Sequence, residues 1–182
     1  MIPVAGLESG FFLMAETEAT EALYKSVNGT SSTSQLPVDA VSYSEISSFI
    51  EKLNNETKLT FSLPSAEQWK YAAKGGNKSQ NYTYAGSNTP GDVAWYAANC
   101  SSKQKVKTKA PNELGIYDMS GNVAEFTNTL YHTNYYGSFE RYGGSYSSSS
   151  SGIGNTDCIY TNTDLQTSPY NGSGFRLILT CK

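Results

Sequence analysis

Apolar positions near the start of the chain follow first an extended and then a helical pattern. Residues 10–15 are mostly apolar, which indicates a strand, and residues 16–25 are helix formers with an apolar side at 22–24. Thr17 or Thr20 supplies a side-chain oxygen that can cap the first turn. We therefore predict a strand followed by a short first helix.

Two further helices are predicted before residue 76. Ser42 is suited to cap a helix over residues 43–53, and a second capped helix is predicted over residues 65–73, before a Gly-Gly pair. The apolar side of the helix after Ser42 consists of Ile46, Phe49, Ile50 and Leu53. Extended segments at 37–41 and 61–64 precede the two helices.

The rest of the chain has the composition of a loop-rich domain. Only 16% of the 182 residues are charged and 38% are hydrophobic, while Gly, Ser, Thr, Asn and Tyr are abundant. From residue 77 onwards the pattern indicates short strands separated by long loops, and no internal repeat is visible. We predict one α+β domain over residues 1–182.

Charge and hydropathy argue against two classes of partner. The net charge is −3 and Lys and Arg are scattered, so we expect no nucleic acid partner. No apolar run reaches the about 18 residues of a membrane-spanning helix, and the first residues lack signal-peptide features, so we expect no direct membrane insertion. Three cysteines, Cys100, Cys158 and Cys181, allow at most one disulfide and leave the redox compartment open.

Five sequence segments carry a family resemblance. They are EATEALY (18–24), LPSAEQWKYAA (63–73), PNELGIYDMSGNVAEF (111–126), RYGGSY (141–146) and GFRL (174–177). In this order they resemble the formylglycine-generating-enzyme and sulfatase-modifying-factor family. The resemblance spans nearly the whole chain and implies a C-type-lectin-like fold with short strands, two or three helices and many loops.

The catalytic residues that the resemblance implies are absent. Enzymes of this family use two cysteines, two and seven residues after the aromatic residue that closes the RYGGSY segment, and Ser148 and Ile153 stand there. A serine hydroxyl does not ionise near neutral pH and offers no soft sulfur for copper, so we expect no enzyme activity. The alternative is an oxidoreductase in which Cys158 substitutes, although no second cysteine is close in sequence. The single histidine, His132, lies in a polar, Tyr-rich stretch and is expected at the surface.

A structural calcium site is implied at the GNVAE segment. The matching ligands are the side chains of Asp118 and Glu125 and the backbone carbonyls of Gly121 and Val123, and Ca²⁺ prefers such oxygen ligands. The alternative is that Asp118 caps a turn while Glu125 pairs with a cation.

The C-terminal segment has a biased composition. Lys, Glu, Gln, Met and Trp occur only once between residues 142 and 181, as Gln166, but 30 times in residues 1–141. The residue types that remain are those of codons ending in a pyrimidine, which is the signature of adenine-directed mutagenesis of Asn codons. The segment therefore resembles the variable region of proteins diversified by retroelements, and that resemblance implies programmed variation over residues 142–176.

This segment is also suited to binding by its side chains. Tyr, Ser, Gly and Asn are enriched in antibody binding loops, because Tyr offers a large contact area and the smaller residues offer adaptable hydrogen bonds. The residues expected to contact a ligand are Tyr146, Ser148, Ser150, Ile153, Asn155, Tyr160, Asn162, Leu165, Tyr170 and Asn171. The expected partner is a protein or glycan on a cell or virion surface, which implies an extracellular, cell-surface or virion location. The alternatives are a flexible Ser-rich loop and an invariant structural domain of a surface protein.

Overall fold

The computed structural model describes residues 1–7, 10–130, 139–155, 158–159 and 168–180, with only the backbone for residues 158–159. The described residues contain four α-helices: α1 (Glu21–Val27), α2 (Tyr43–Thr57), α3 (Ala66–Ala73) and α4 (Pro90–Val93). Within these ranges no helix is long and apolar enough to cross a lipid bilayer.

Two small sheets accompany the helices and confirm the α+β class. The first has the order β1-β2-β8-β3, all antiparallel: β1 (Ile2–Leu7), β2 (Gly10–Met14), β8 (Ile178–Thr180) and β3 (Phe61–Ser62). The second has the order β6-β5-β4-β7: β6 (Cys158–Ile159), β5 (Phe139–Tyr142), β4 (Ala124–Leu130) and β7 (Ser173–Phe175). In the second sheet, β4 and β7 are parallel.

The predicted helices α2 and α3 form because their ends are capped locally. Ser42 and Glu45 satisfy each other's backbone N–H groups at the start of α2, and Ser65 and Gln68 do the same for α3. Helix α2 buries Ile46, Phe49 and Leu53 as its spacing predicts, whereas Ile50 is half-buried. Both predictions are confirmed, although α2 continues to Thr57.

The first helix begins later than the sequence predicts. Thr20 caps it by accepting a hydrogen bond from the backbone of Leu23, and α1 starts at Glu21 rather than at residue 16. The preceding residues are held extended because the N–H of Ala19 donates to Phe175 and its carbonyl accepts from Val38. Long-range backbone pairing therefore overrides the helix propensity of residues 16–19.

The C-terminal strands connect the two sheets. Strand β7 lies in the second sheet and β8 in the first, with only Arg176 and Leu177 between them. The buried apolar residues form two clusters, one containing Phe49 and Phe175 and the other containing Trp69 and Ile178. Arg176 therefore lies between the two halves of the core, where it is fully buried.

Candidate functional site

A buried ion pair joins the GNVAE and GFRL segments. Arg176 donates from Nε to Glu125 Oε2 at 2.7 Å and from Nη2 to Glu125 Oε1 at 2.6 Å. The indole Nε1 of Trp69 donates to Glu125 Oε2 at 2.6 Å. Both oxygens of Glu125 are therefore satisfied by charge-assisted hydrogen bonds, and three of the family segments meet at one carboxylate.

Two more buried carboxyl groups lie near this ion pair. Glu18 accepts from the backbone of Val123 at 3.0 Å and from Asn122 Nδ2 at 2.7 Å, and Asp118 accepts from the backbone of Lys107 at 2.7 Å. Burial raises the pKa of Asp118 to about 6 and raises the pKa of Glu18 well above its ordinary value, where the charge of Asp118 adds to the effect.

These contacts do not fit the calcium site that the sequence implied. Glu125 would have to give up Arg176 to ligate an ion, and one oxygen of Asp118 already accepts from Lys107. In the described part of the chain, no group of three or more His, Cys, Asp or Glu side chains could hold a metal ion. The pairing of Glu125 with a cation agrees with the alternative, whereas Asp118 accepts its hydrogen bond from Lys107, 11 residues away in the sequence. Calcium binding stays a prediction from the sequence, and the geometry of Glu125 argues against it.

The GNVAE segment also holds both ends of the C-terminal segment in place. The N–H of Gly121 donates to Gly143 O, the N–H of Tyr146 donates to Asn122 O, and the N–H of Ala124 donates to Gly172 O, each at 2.8 Å. We call these three hydrogen bonds the backbone clamp. Because of the clamp, the start and the return of the C-terminal segment are both attached to residues 121–124, and strand β4 lies between β5 and β7 in the sheet.

The residue at position 121 must be glycine for the clamp to form. Gly121 has a φ of +78°, and a Cβ there would lie 2.2 Å from the carbonyl oxygen of Trp95. The close approach of the Trp95 loop allows Asn122 to donate its N–H to the same carbonyl at 2.8 Å. A glycine is therefore required for steric reasons as well as for its φ value.

A cavity of about 550 Å³ opens between the two clamped ends of the segment. It is lined by Ala124, Arg141, Ser145, Tyr146, Ser147, Ser148, Pro169, Tyr170, Asn171, Gly172 and Ser173. Four of the residues predicted to contact a ligand belong to this lining: Tyr146, Ser148, Tyr170 and Asn171. The structure thus brings together residues that lie more than 20 positions apart in the sequence.

Arg141 also lines the cavity and is not among the residues that the sequence predicts to contact a ligand. Its guanidinium is fully buried, lies 4.8 Å from the ring centroid of Tyr170, and donates from Nη1 to Ser173 Oγ. Ser145 and Ser147 were also missed. The available signal was the RYGGSY segment itself, in which Arg141 directly precedes the segment of biased composition that begins at Tyr142.

Two of the predicted contact residues face the interior instead. Ile153 is fully buried, with its Cγ2 so close to Gly144 that a Cβ there would approach it to 2.7 Å. Asn155 is also buried and donates from Nδ2 to the carbonyl of Tyr82 at 2.9 Å. These two predictions are wrong because both side chains are used for packing and for holding the neighbouring loop.

The remaining predicted contact residues have other positions. Ser150 is exposed in a short 3₁₀ turn but does not line the cavity. Tyr160, Asn162 and Leu165 lie outside the described residues, as does His132. The serines at the start of the segment form a hydrogen-bonded turn rather than a featureless loop, since Ser145 N donates to Ser148 Oγ at 3.0 Å and Ser148 N donates to Ser145 O at 2.9 Å.

The positions of the family's cysteines contain no redox group. Ser148 Oγ accepts from the backbone in this turn, and Ile153 is packed in the interior. Cys100 is a free thiol whose pKa is raised by burial, the opposite of what a reactive thiolate needs. The side chain of Cys158 lies outside the described residues.

Similar proteins fall into two groups by the extent of the match. "Chaperone protein LppX" of Paenibacillus barcinonensis is 44% identical over 90 residues, which cover 40% of this chain and 32% of that protein, so the match spans about a third of its length. Among solved structures, Treponema denticola variable protein 1 is 22% identical with a TM-score of 0.82 and is matched over 93% of this chain and 84% of that chain. CarF is 23% identical with a TM-score of 0.84, over 95% of this chain and 87% of that chain.

The Major Tropism Determinant U1 variant has a more distantly similar fold, with 11% identity and a TM-score of 0.58. The match covers 92% of this chain and 50% of that chain. These likenesses confirm the C-type-lectin-like architecture. The sequence pattern of the "Sulfatase-modifying factor enzyme 1-like domain" matches residues 10–181. The chain therefore belongs to the sulfatase-modifying factor enzyme 1-like family.

Proposed function

We propose that this protein is a non-catalytic ligand-binding domain whose C-terminal segment, residues 142–176, is a variable region diversified by a retroelement. The observation that carries the proposal is the cavity between the two clamped ends of that segment, with Tyr146 and Tyr170 in its lining. A variable protein and a tropism determinant share the fold, which supports the same conclusion.

The absence of catalysis rests on the residues that replace the cysteine pair. Ser148 is tied into a serine turn, and Ile153 is an interior side chain. Neither supplies a thiolate for oxidation or for copper. Of these two positions, Ser148 lines the cavity, whereas Ile153 lies in the interior.

The composition of the cavity supports a role in recognition. Two tyrosines provide contact area with few rotatable bonds, and serine and asparagine provide hydrogen-bonding groups that suit different partners. The partner is a protein or glycan on a cell or virion surface, which implies that the domain acts outside the cell.

Sequencing the gene and its 3′ flank from related isolates tests the proposal. Substitutions are expected to concentrate at positions of the segment that are not buried, such as half-buried Tyr146 and exposed Ser150, Tyr170 and Asn171, while buried Ile153 stays apolar. A reverse transcriptase gene and a near-copy of the 3′ end are expected nearby. Substitutions spread evenly along the sequence would contradict the proposal.

A further inference from the structure

We infer that the cavity binds an uncharged saccharide, an inference that rests on the proposed function of the same face. The first argument is the chemistry of the lining. The hydroxyls of Ser145, Ser147 and Ser148 lie together, with Ser145 Oγ 2.9 Å from Ser147 Oγ, and the amide of Asn171 lines the same cavity. Each hydroxyl both donates and accepts, as sugar hydroxyls do, so a polyhydroxylated ligand finds partners in either direction.

The second argument is an aromatic platform that is already oriented. The guanidinium carbon of Arg141 lies 4.8 Å from the ring centroid of Tyr170, yet 43% of Tyr170 remains exposed. A ring held on one side by a buried cation loses little freedom when a ligand covers its other side. The apolar C–H face of a sugar ring is suited to such a surface, because it buries apolar area against the aromatic face.

The third argument concerns charge. Among the described residues that line the cavity there is no carboxylate and no lysine, and the one charged side chain, Arg141, is fully buried beneath Tyr170. The groups that a ligand meets directly are therefore hydroxyls, an amide and aromatic rings. Hydrogen bonds and ring stacking suffice to hold a sugar there, and no acidic group on the sugar is needed.

The fourth argument concerns shape. The cavity of about 550 Å³ lies in the range of small-ligand pockets, roughly 300–1,000 Å³. Protein–protein contacts usually cover broad surfaces of about 800 Å² on each partner. A concave site of this size fits one or two sugar rings better than it fits the side of a folded protein.

The test uses the 182-residue protein and a panel of neutral hexoses, N-acetylhexosamines, deoxyhexoses and their disaccharides, measured by saturation-transfer NMR and calorimetry. At least one is expected to bind at millimolar concentration. Tyr170→Ala should weaken that binding about tenfold, since it removes the stacking surface. Tyr170→Phe keeps the ring and should retain most of the affinity. Phe11→Ala is the matched control, since Phe11 is 49% exposed on the other sheet and should leave binding unchanged.

Three results would overturn the inference: no neutral saccharide binds, Tyr170→Ala binds as well as the unchanged protein, or only sialylated or sulfated sugars bind. Failure of the saccharide inference is distinct from failure of the proposed function. If isolates vary in the segment and a protein ligand is lost in Tyr170→Ala without competition by sugars, the proposed function stands and the saccharide inference falls. If the segment does not vary, the proposed function falls, whatever binds to the cavity.

Discussion

Arg176 and Glu125 face each other in the core as a two-point ion pair, with 0% and 1% of their side chains exposed. Such a pair contributes less to stability than its short distances imply, because both charges lose their hydration on burial. Substitution of only one partner is strongly destabilising, because a single unpaired charge is then left in the interior.

Arg176→Met is expected to destabilise the domain by about 3–5 kcal/mol, because it leaves Glu125 buried beside Glu18 and Asp118 without a cation. Urea unfolding followed by tryptophan fluorescence measures the loss. Lys107→Met is the control, since the Lys107–Glu16 pair is largely exposed and its removal should leave the free energy of unfolding nearly unchanged. Equal losses in the two variants would contradict the special role of the buried pair.

The contribution of Asp118 to the free energy of unfolding is expected to fall as the pH rises from about 4 to 7. The pKa of Asp118 is raised by burial from 3.8 to about 6 in the folded state, so the folded protein holds its proton more tightly than the unfolded state does. The cost is absent below pH 3.8 and complete above pH 6, and it amounts to about 3 kcal/mol.

Asp118→Asn should therefore stabilise the protein at pH 7.5 and have little effect at pH 4. Asparagine can accept the same hydrogen bond from Lys107 and tolerates the positive φ of 58° at this position. Urea unfolding at both pH values measures the difference. Asp92→Asn, at an exposed position, is the matched control. A variant that is less stable than the parent at pH 7.5 would show that the carboxylate is needed in its charged form.

Chelation is expected to leave the melting temperature unchanged, because Arg176 rather than an ion neutralises Glu125. Differential scanning calorimetry with and without EDTA measures this. A decrease in melting temperature that added Ca²⁺ restores, and that Glu125→Ala abolishes, would instead support the calcium site implied by the sequence.

Ile153→Ala is expected to cost about 2–5 kcal/mol, because Ile153 is fully buried and the substitution leaves a cavity beside Gly144. Ser150→Ala, three residues earlier at an exposed position, should leave the free energy of unfolding within about 0.5 kcal/mol of its original value. Thermal unfolding compares the two. Similar stabilities would mean that position 153 is not part of the core.

No turnover is expected with a cysteine-containing sulfatase peptide, copper and oxygen, since Ser148 and Ile153 replace the cysteine pair. Oxygen uptake and mass spectrometry of the peptide measure the reaction. Formation of formylglycine that is lost in Cys158→Ala would show that the protein is an oxidoreductase with an unusual cysteine.

The parts of the fold that could be predicted are those that local chemistry decides. The caps at Ser42 and Ser65 lie within three residues of the side chains that complete them, and both helices were predicted correctly. The start of α1 was not, because Ala19 is paired with Phe175, far away in the sequence. Long-range pairing of this kind leaves no local pattern.

The candidate site was predictable in outline but not in its orientation. Residue types identified Tyr146 and Tyr170, but a Ser-rich segment without periodicity does not show which side chains face inwards, so Ile153 was misplaced. Arg176, the partner of Glu125, lies 51 residues further along the sequence. The residues around Glu125 therefore do not show whether its carboxylate ligates a metal ion or pairs with an arginine.

The backbone clamp has a consequence for how the segment can evolve. All three of its hydrogen bonds run from a backbone amide to a backbone carbonyl, at Gly121–Gly143, Tyr146–Asn122 and Ala124–Gly172. The bond at Tyr146 is therefore available to any residue except proline, which lacks the N–H group. A mutation that replaces this side chain changes the surface offered to a partner and leaves the attachment intact. The side chain at position 146 can therefore vary between descendants of the gene without loss of the hydrogen bond that attaches the segment to the fold.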